Sequence, residues 1–357
     1  MKILFWVSIL TVLYVYAGYP LLVYLISLFL ERPVRRKYIY PSISVIVSAY
    51  NEEKSIEKKI TTLLDADYPK EKLEILIGSD GSTDGTEEIV KRYVEIASLP
   101  RFGGVARNDD GQEASCCAIK LFRQVRRRGK PNMLNILASA AKGEILVFTD
   151  ARQRLDRNSL KELVRNFSDE KVGSVSAELL FEDDDNKTSN GIGLYWAYEK
   201  FIRKCESKID SMLGATGAMY AIRRELFQEM PEDLILDDVY IPLKAIEKGY
   251  RAIFESEAKI YDTVVKDAKE EFSRKARTLA GNFQAFGYLK GLFNPFRSPV
   301  AFQFFSHKFL RLVVPFLLIN VFKKFFASSI LCSAAPRFPF AANSEIVKLS
   351  LKIVSSA

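Results

Sequence analysis

Residues 145–152 read ILVFTDAR, and this short stretch decides how the rest of the chain is interpreted. Four apolar residues lead into Thr149 and Asp150, which is the pattern of a buried strand that ends in a carboxylate. In a parallel sheet flanked by helices, ligands bind at the carboxyl ends of the strands. Asp150 is therefore a candidate ligand-binding residue, and a helix cap is its alternative role. Two positions later stands a cation, Arg152, instead of a second acid.

Strand and helix patterns alternate from about Pro41 to Leu292. Runs rich in β-branched residues predict strands at 42–47, 73–78, 144–149 and 217–223. Apolar residues at helical spacing predict helices at 54–64, 131–141, 159–167, 239–247 and 266–286. Asp84 and Glu87 resemble a capping box that opens another helix. This alternation predicts an α/β fold with a mostly parallel sheet, whereas residues 96–118 lack periodicity and are predicted to be a surface insertion or a disordered loop.

Acidic residues follow two more of the predicted segments. Asp80 lies in GSDGSTDGT, where Gly81 and Gly85 allow the backbone to approach a ligand closely. Asp237 and Asp238 are adjacent in LDDVYIP, just before a predicted helix. Taken singly, each acid could be a turn, cap or solvated residue. Because strand ends of one parallel sheet share an edge, we expect these acids to converge there.

The two ends of the chain are apolar. Residues 3–30 carry no charge and predict a transmembrane helix, with a secretory signal peptide as the alternative. The basic flank ERPVRRK (31–37) places the body of the chain in the cytosol by the positive-inside rule. Near the other end, the uncharged run 312–322 is short for a span, so the segment is predicted to be interfacial or transmembrane.

The composition limits the remaining classes of function. The chain has 357 residues, a net charge of +8 and a single histidine, His307, which argues against a histidine-based triad or a histidine-rich metal site. Its four cysteines lack metal-ligand spacing and fit reduced cytosolic thiols. The basic run 123–130 is the only feature that suggests nucleic acid, and no groove-reading motif accompanies it, so no nucleic-acid partner is expected.

Seven motifs occur in an order that carries a family resemblance. They are VSAYNEE, GSDGSTDGT, GKPNMLN, FTDAR, GATGAMYAIRRELF, LDDVYIP and RKARTLAGN. The chain resembles membrane-anchored family 2 glycosyltransferases, which are related to the synthases of cellulose, chitin and hyaluronan. The resemblance implies a GT-A nucleotide-sugar domain and inverting transfer from a nucleotide sugar, usually a UDP-sugar, to a lipid-linked or growing saccharide acceptor. A catalytically inactive, nucleotide-binding membrane protein of a polysaccharide assembly is the alternative.

The resemblance also implies roles for individual residues. Tyr50, Glu52 and Asp80 match positions that hold the base and ribose, and Lys130 matches a basic position at the diphosphate. Asp150 matches the first acid of the DxD motif, which binds a divalent metal, Mg²⁺ or Mn²⁺. Since Arg152 replaces the second acid, we expect it to contact a phosphate or to point away from the metal.

The later motifs imply the catalytic and acceptor residues. Asp238 matches the base that deprotonates the acceptor hydroxyl, and Asp237 would raise its pKa or orient it. RKARTLAGN aligns with QxxRW, so Arg277 and Arg274 are expected near the leaving diphosphate. Thr278 replaces the tryptophan, which weakens the case for polymerisation. The acceptor-side segment that begins at Gly214 contains Gly217.

These expectations combine into one organisation. We predict an N-terminal anchor with its basic flank at 1–37, the GT-A domain at 38–292, an interfacial or transmembrane segment at 293–335 and a tail at 336–357. The expected partners are the nucleotide-sugar donor, the acceptor, the membrane and possible polysaccharide-export proteins. The expected location is the cell membrane, with the catalytic domain in the cytoplasm.

Overall fold

β-Branched and apolar runs of the chain form the strands, as their composition predicts. The computed structural model describes residues 2–98, 106–107, 113–114, 117–182, 189–263, 268–296 and 298–332. The described strands are β1 (Ile43–Ala49), β2 (Leu73–Asp80), β3 (Ala106–Arg107), β4 (Glu113–Ala114), β5 (Ala118–Gln124), β6 (Ile145–Thr149), β7 (Arg154–Leu155), β8 (Val172–Glu182), β9 (Met219–Arg223) and β10 (Arg251–Thr263).

Helices occupy most of the intervening segments. The described α-helices are α1 (Lys2–Leu13), α2 (Tyr19–Phe29), α3 (Ile56–Leu64), α4 (Thr86–Ser98), α5 (Lys130–Ala140), α6 (Ser159–Val164), α7 (Ser189–Ile209), α8 (Asp237–Glu247), α9 (Ala268–Tyr288), α10 (Ala301–Gln303) and α11 (Leu310–Cys332). Two π-helical segments, Tyr14–Gly18 and Phe304–Phe309, lie directly before α2 and α11. The first of them interrupts the apolar stretch that was predicted to be one helix.

The sheet that organises the described residues has eight strands in the order β5-β2-β1-β6-β9-β8-β10-β7. Strands β5, β2, β1 and β6 are parallel to one another. Strand β9 is antiparallel to both β6 and β8, and β7 is antiparallel to β10. The α/β GT-A fold is confirmed, with a sheet that is mixed: its parallel half places the ends of β1, β2 and β6 at one edge.

Alternating side chains of the strands pack into two apolar layers, one on each face of the sheet. In β1, Ile43, Val45 and Val47 belong to the layer that includes α3 and α6. Ile46 points to the other face, into the layer that includes residues of α5 and α8. The same period of two explains why a run as uniformly apolar as β1 is buried on both sides.

Three long strands and one helix have no counterpart among the sequence predictions: β5, β8, β10 and α7. The two-residue strands β3, β4 and β7 were not predicted either. Two of the long strands contain buried polar residues that interrupt the apolar pattern in the sequence. In β8, Ser174 is fully buried and donates its hydroxyl to the carbonyl oxygen of Ala221 at 2.9 Å. In β10, Glu255 is buried against Arg36 and Asn166. A buried polar residue with a partner breaks the apolar pattern without breaking the strand.

The capping box predicted from Asp84 and Glu87 is only half formed. Oδ1 of Asp84 accepts a hydrogen bond from the backbone N–H of Thr86 at 3.1 Å, at the start of α4. Glu87 does not reach back: its carboxylate accepts the hydroxyl of Ser79 at 2.8 Å and pairs with Arg123. The predicted second bond of the capping box, from the Glu87 side chain to the backbone, is therefore wrong. The Glu87 carboxylate instead binds residues of β2 and β5.

The chain divides into two compact units. One is Tyr14–Leu312, which contains the whole eight-stranded sheet; the other, in its described part, consists of residues 2–13 and 313–332. Among the described residues, two helical stretches are long and apolar enough to cross a membrane, Ile3–Phe29 and Ala301–Lys323. The predicted tail at 336–357 and most of the predicted insertion at 96–118 lie outside the described residues.

Candidate active site

The candidate site lies at the carboxyl ends of the parallel strands. Tyr50 follows β1, Asp80 is the last residue of β2, and Asp150 follows β6. Strand β9 runs antiparallel to β6, so the segment that precedes β9 lies beside the end of β6. The backbone N–H of Asp150 accordingly points to the carbonyl oxygen of Ala218 at 3.4 Å. The topology thus brings predicted donor-side and acceptor-side residues together.

Lys130 joins two of the predicted acids. Its Nζ donates a hydrogen bond to Oδ1 of Asp150 at 2.9 Å and lies 3.0 Å from Oδ1 of Asp237. Burial by itself lowers the pKa of Lys130, but the two carboxylates outweigh it and raise that pKa above its ordinary value. In turn, Lys130 holds the pKa of Asp150 below its usual value against the effect of burial. The ammonium is therefore a permanent charge in the site.

Asp80 fixes the loop that carries Lys130. Its Oδ1 accepts the backbone N–H of Arg128 at 2.8 Å, and its Oδ2 accepts the backbone N–H of Gly129 at 2.9 Å. The side chain is buried. Gly129 has a φ of +96°, a conformation that favours glycine, and it precedes the first residue of α5. Because a carboxylate has about four acceptor sites, Asp80 retains capacity for a ligand.

Tyr50 and Glu52 lie in a loop that is held against the turn after β2. Oδ1 of Asn51 accepts the backbone N–H of Thr83 at 2.8 Å, and the backbone N–H of Glu52 donates to Thr86 Oγ1 at 2.9 Å. The Glu52 carboxylate accepts the hydroxyl of Ser55. The guanidinium of Arg127, which the sequence prediction did not single out, lies 3.9 Å from the centre of the Tyr50 ring.

Asp237 and Asp238 begin α8. Asp237 is buried, and its Oδ2 accepts the hydroxyl of Tyr220 at 2.8 Å. Tyr220 is fully buried and stacks on Phe148 with ring centres 5.0 Å apart. Burial and then the neighbouring charge of Asp237 raise the pKa of Asp238 to about 6, although Lys130, Lys308 and Arg203 oppose the rise. Asp238 is thereby suited to accept a proton near neutral pH.

The loop 214–217 packs directly on Asp238. The backbone N–H of Ala215 donates to the carbonyl oxygen of Asp238 at 2.7 Å. A Cβ added at Gly217 would lie 3.1 Å from Oδ2 of Asp238, so the glycine allows the loop to approach this carboxylate closely. Gly214 has a φ of +110°, and an added Cβ there would lie 3.5 Å from Nζ of Lys308.

Arg152 is turned toward β10. Its Nη2 lies 3.5 Å from Oδ2 of Asp262, which also accepts Nε2 of Gln153 at 3.0 Å. Beneath the end of β6, the buried Lys59 donates to Thr149 Oγ1 at 2.9 Å, and burial lowers the pKa of Lys59 to about 7.

The possible metal ligands form a separate question. Within the described residues, no group of three or more acidic, histidine or cysteine side chains could hold a metal ion. Asp150 nevertheless offers one carboxylate oxygen that has no hydrogen bond in the described part of the chain, on a side chain that is 37% exposed.

Arg274 and Arg277 lie on the exposed surface of α9. A Cβ added at Gly281, one turn after Arg277, would lie 2.5 Å from Cγ of Leu236, so α9 packs against the residue that precedes Asp237. In the described part of the chain Arg277 makes no ion pair. Its place near the leaving diphosphate stays a prediction.

Two protein-family models match the chain. Glycosyl transferase family 2 matches residues 44–230, which is more than half of the chain, and Glycosyl transferase family group 2 matches residues 145–341. The probable glycosyltransferase YdaM of Bacillus subtilis (strain 168) is 21% identical over 272 residues, 74% of this chain and 61% of that protein. Glycosyltransferase AglE of Haloferax volcanii is 42% identical over 89 residues, 23% of this chain and 29% of that protein.

A solved structure is similar along nearly the whole chain. It is described as mannosyltransferase PcManGT from Pyrobaculum calidifontis in complex with GDP-Man and Mn²⁺, with 26% sequence identity and a TM-score of 0.71. The match covers 99% of this chain and 92% of that chain. By contrast, this chain spans 61% or less of the length of the two curated relatives above.

Proposed function

The chain belongs to glycosyl transferase family 2, and on that premise we propose that it transfers a sugar, with inversion, from a nucleotide-sugar donor to a hydroxyl of a lipid-linked or saccharide acceptor. The arrangement of Lys130 between Asp150 and Asp237, beside Asp238, carries the proposal. It places a permanent cation next to a carboxylate whose pKa is raised to about 6. A cation for a diphosphate and a base for a hydroxyl are what the transfer requires. This arrangement also favours an active enzyme over the inactive, nucleotide-binding alternative.

The transfer needs one base and one leaving group. Asp238 takes the proton of the acceptor hydroxyl as the oxygen forms a bond to the anomeric carbon of the donor. The bond from that carbon to the diphosphate oxygen breaks, and its electron pair leaves with the nucleoside diphosphate. Attack and departure from opposite faces invert the anomeric centre. Lys130 and Arg277 neutralise the charge that develops on the diphosphate.

The donor nucleotide is proposed to bind across the ends of β1 and β2. Tyr50, Glu52 and Asp80 hold the base and ribose, as the family resemblance implies. The ring of Tyr50 is partly exposed, and Arg127 stacks on it. The sequence suggested a UDP-sugar, whereas the similar archaeal structure is described with GDP-Man. Both nucleotides therefore belong in the donor assay.

A divalent cation fits the site through a single protein ligand. Asp150 would hold it with the oxygen that Lys130 leaves open, and the donor diphosphate and water would supply the other ligands. When bound, Mg²⁺ or Mn²⁺ would neutralise part of the diphosphate charge. The similar archaeal structure is described with Mn²⁺, which supports this choice. Arg152, paired with Asp262, is not a ligand.

The location of the enzyme follows from its apolar helices. We propose that Ile3–Phe29 anchors the chain in the cell membrane and that Ala301–Lys323 inserts into it or lies at its surface. The basic flank after the first helix supports a cytoplasmic catalytic domain. Such a placement would give access to lipid-linked acceptors and to polysaccharide-export partners.

The test is a donor screen with the purified full chain. UDP- and GDP-sugars are supplied with Mg²⁺ or Mn²⁺ and a membrane extract, and nucleoside diphosphate release and product size are measured. We expect Asp238→Asn to lower turnover by a factor of about 10² to 10⁴ and to leave donor binding intact. Asp65→Asn, at an exposed acid after α3, is the matched control. Full turnover in Asp238→Asn would remove the assigned base, and absence of both donor binding and turnover would remove the proposal.

A further inference from the structure

Two cations lie beside the loop 214–217. Nη1 of Arg203, on α7, donates to Thr216 Oγ1 at 2.7 Å. Nζ of Lys308, in the π-helical segment Phe304–Phe309, lies 3.5 Å from the position that a Cβ on Gly214 would occupy. The same loop contacts Asp238 through Ala215 and Gly217. We call Arg203 and Lys308 the acceptor-side cations.

The acceptor-side cations have no anionic partner of their own. Within the described residues, Lys308 makes no hydrogen bond or ion pair, and Arg203 bonds only to a neutral hydroxyl. The nearby acids on α7 pair with other residues, although Oε2 of Glu206 is buried without a hydrogen-bond partner in the described part of the chain. Glu199 pairs with Arg311 and His307, and Glu206 accepts Nδ1 of His307 at 2.7 Å and the hydroxyl of Tyr19 at 2.5 Å.

Glu199 and Glu206 act on Lys308 more strongly than Asp238 does, but within the described residues Lys308 forms an ion pair with none of them. Asp238 is the acid that the loop 214–217 contacts, and it cannot balance both cations. It contributes at most one negative charge, and its raised pKa reduces even that near neutral pH. Partly buried charges are costly unless an opposite charge accompanies them. A Cβ at Gly214 would contact Val239 and Nζ of Lys308, so the glycine lets this backbone lie close to the ammonium. Two cations beside one loop can together bind an anion.

We propose that Arg203 and Lys308 bind a phosphate group of the acceptor, next to the hydroxyl that Asp238 deprotonates. This inference rests on the proposed glycosyl transfer. Arginine binds two phosphate oxygens at once, and lysine adds a point charge. The phosphate keeps its bonds throughout and serves only to position the hydroxyl. The donor diphosphate is assigned to a different cation, Lys130, which pairs with Asp150 and Asp237.

The experiment compares acceptors that differ only in phosphate. The full chain in lipid nanodiscs receives a sugar joined to a prenyl chain through a phosphodiester, the same sugar joined through a phosphate-free glycosidic bond, and the soluble sugar 1-phosphate. Initial rates give kcat/KM for each, and equilibrium binding of each probe is measured in parallel. If only the prenyl-linked phosphodiester is bound and used, the site binds the phosphate of a lipid-linked acceptor. If the soluble sugar 1-phosphate is bound and used equally well, the site binds the phosphate group without the lipid.

Variants assign that requirement to the two residues. We expect Arg203→Gln and Lys308→Gln each to lower kcat/KM and affinity for the phosphate-bearing probes by about tenfold or more. The phosphate-free probe should lose less, because its only change is the higher pKa of Asp238, and the Kd of the nucleotide donor should stay unchanged. Arg203→Lys should retain part of the effect. Lys323→Gln, at an exposed lysine of α11, is the matched control.

Two results would overturn the inference. One is equal use of phosphate-bearing and phosphate-free acceptors by the unmodified chain. The other is an equal loss for both acceptor types in the variants, which would mean that the cations act on Asp238 and not on a phosphate. If the proposed transfer itself is wrong, the chain will neither bind a donor nor turn over any acceptor. In that case, equilibrium binding of the phosphate-bearing probes still tests the role of the two cations.

Discussion

Replacing Tyr220 by phenylalanine removes one oxygen atom from the site and leaves the stacked ring in place. The lost hydroxyl donates at 2.8 Å to Oδ2 of Asp237, a buried carboxylate. A hydrogen bond to a charged group contributes about 1.5–3 kcal/mol, so the melting temperature should fall by about 2–5 °C for a unit as large as Tyr14–Leu312. The charge of Asp237 also becomes less well compensated, so the pKa of Asp238 should rise above about 6.

Two measurements follow these two effects. Thermal unfolding of the purified chain reports the stability change. The pH dependence of kcat/KM reports the second effect, since Asp238 acts as a base only when deprotonated and the rate falls as the pH drops through its pKa. In Tyr220→Phe the acid limb of this profile should move to higher pH.

The matched controls separate the hydrogen bond from the ring. Tyr250→Phe removes a hydroxyl that makes no hydrogen bond within the described residues, so both measurements should stay unchanged. In an Asp237→Asn background, Tyr220→Phe should no longer move the acid limb, because the charge that raised the pKa is gone. An unshifted acid limb in Tyr220→Phe, together with an unchanged melting temperature, would refute the reasoning.

Three further outcomes are expected. In the unmodified chain, kcat/KM should fall by about tenfold per pH unit below about pH 6, because protonation of Asp238 removes the base; a flat profile down to pH 5 would contradict this. Gly217→Ala should lower kcat by about tenfold with the donor Kd unchanged, because the new Cβ would lie 3.1 Å from Oδ2 of Asp238 and displace it; equal kcat would show that the carboxylate has room to move. Asp150→Ala should abolish the response of turnover to added Mn²⁺, whereas Arg152→Ala should change turnover by less than about threefold, since Arg152 pairs with Asp262; a metal response that survives in Asp150→Ala would exclude it as a ligand.

The parts of the site that the sequence predicted are those set by local chain geometry. Asp80 and Asp150 come at the ends of apolar runs, and Asp237 and Asp238 come just before a helical pattern. Strand ends of a parallel sheet share an edge, so these positions follow from secondary structure alone. The hydrogen-bond partners of each acid do not follow from secondary structure. Asp80 accepts two backbone N–H groups of the loop after β5, and β5 was not predicted.

Residues contributed from distant segments left no local signal. Arg203 lies on a helix that the sequence pattern did not predict, and Lys308 looked like an isolated charge in an apolar segment. Tyr220 occupies an ordinary strand position and meets Asp237 only because β9 runs next to β6. Their roles arise from tertiary packing, which no periodicity within one segment records.

The bonds between Asp80 and the loop before α5 have a consequence for selectivity. Folding has already ordered the backbone of Arg128 and Gly129, so binding a donor does not have to order the lysine-bearing turn. With the diphosphate bound at Lys130 as proposed, all nucleotide sugars should gain the same affinity from this ordered turn. Discrimination between one hexose and another must then reside in the side chains around the sugar ring, and exchanging those side chains should change donor preference without weakening binding of the free nucleoside diphosphate.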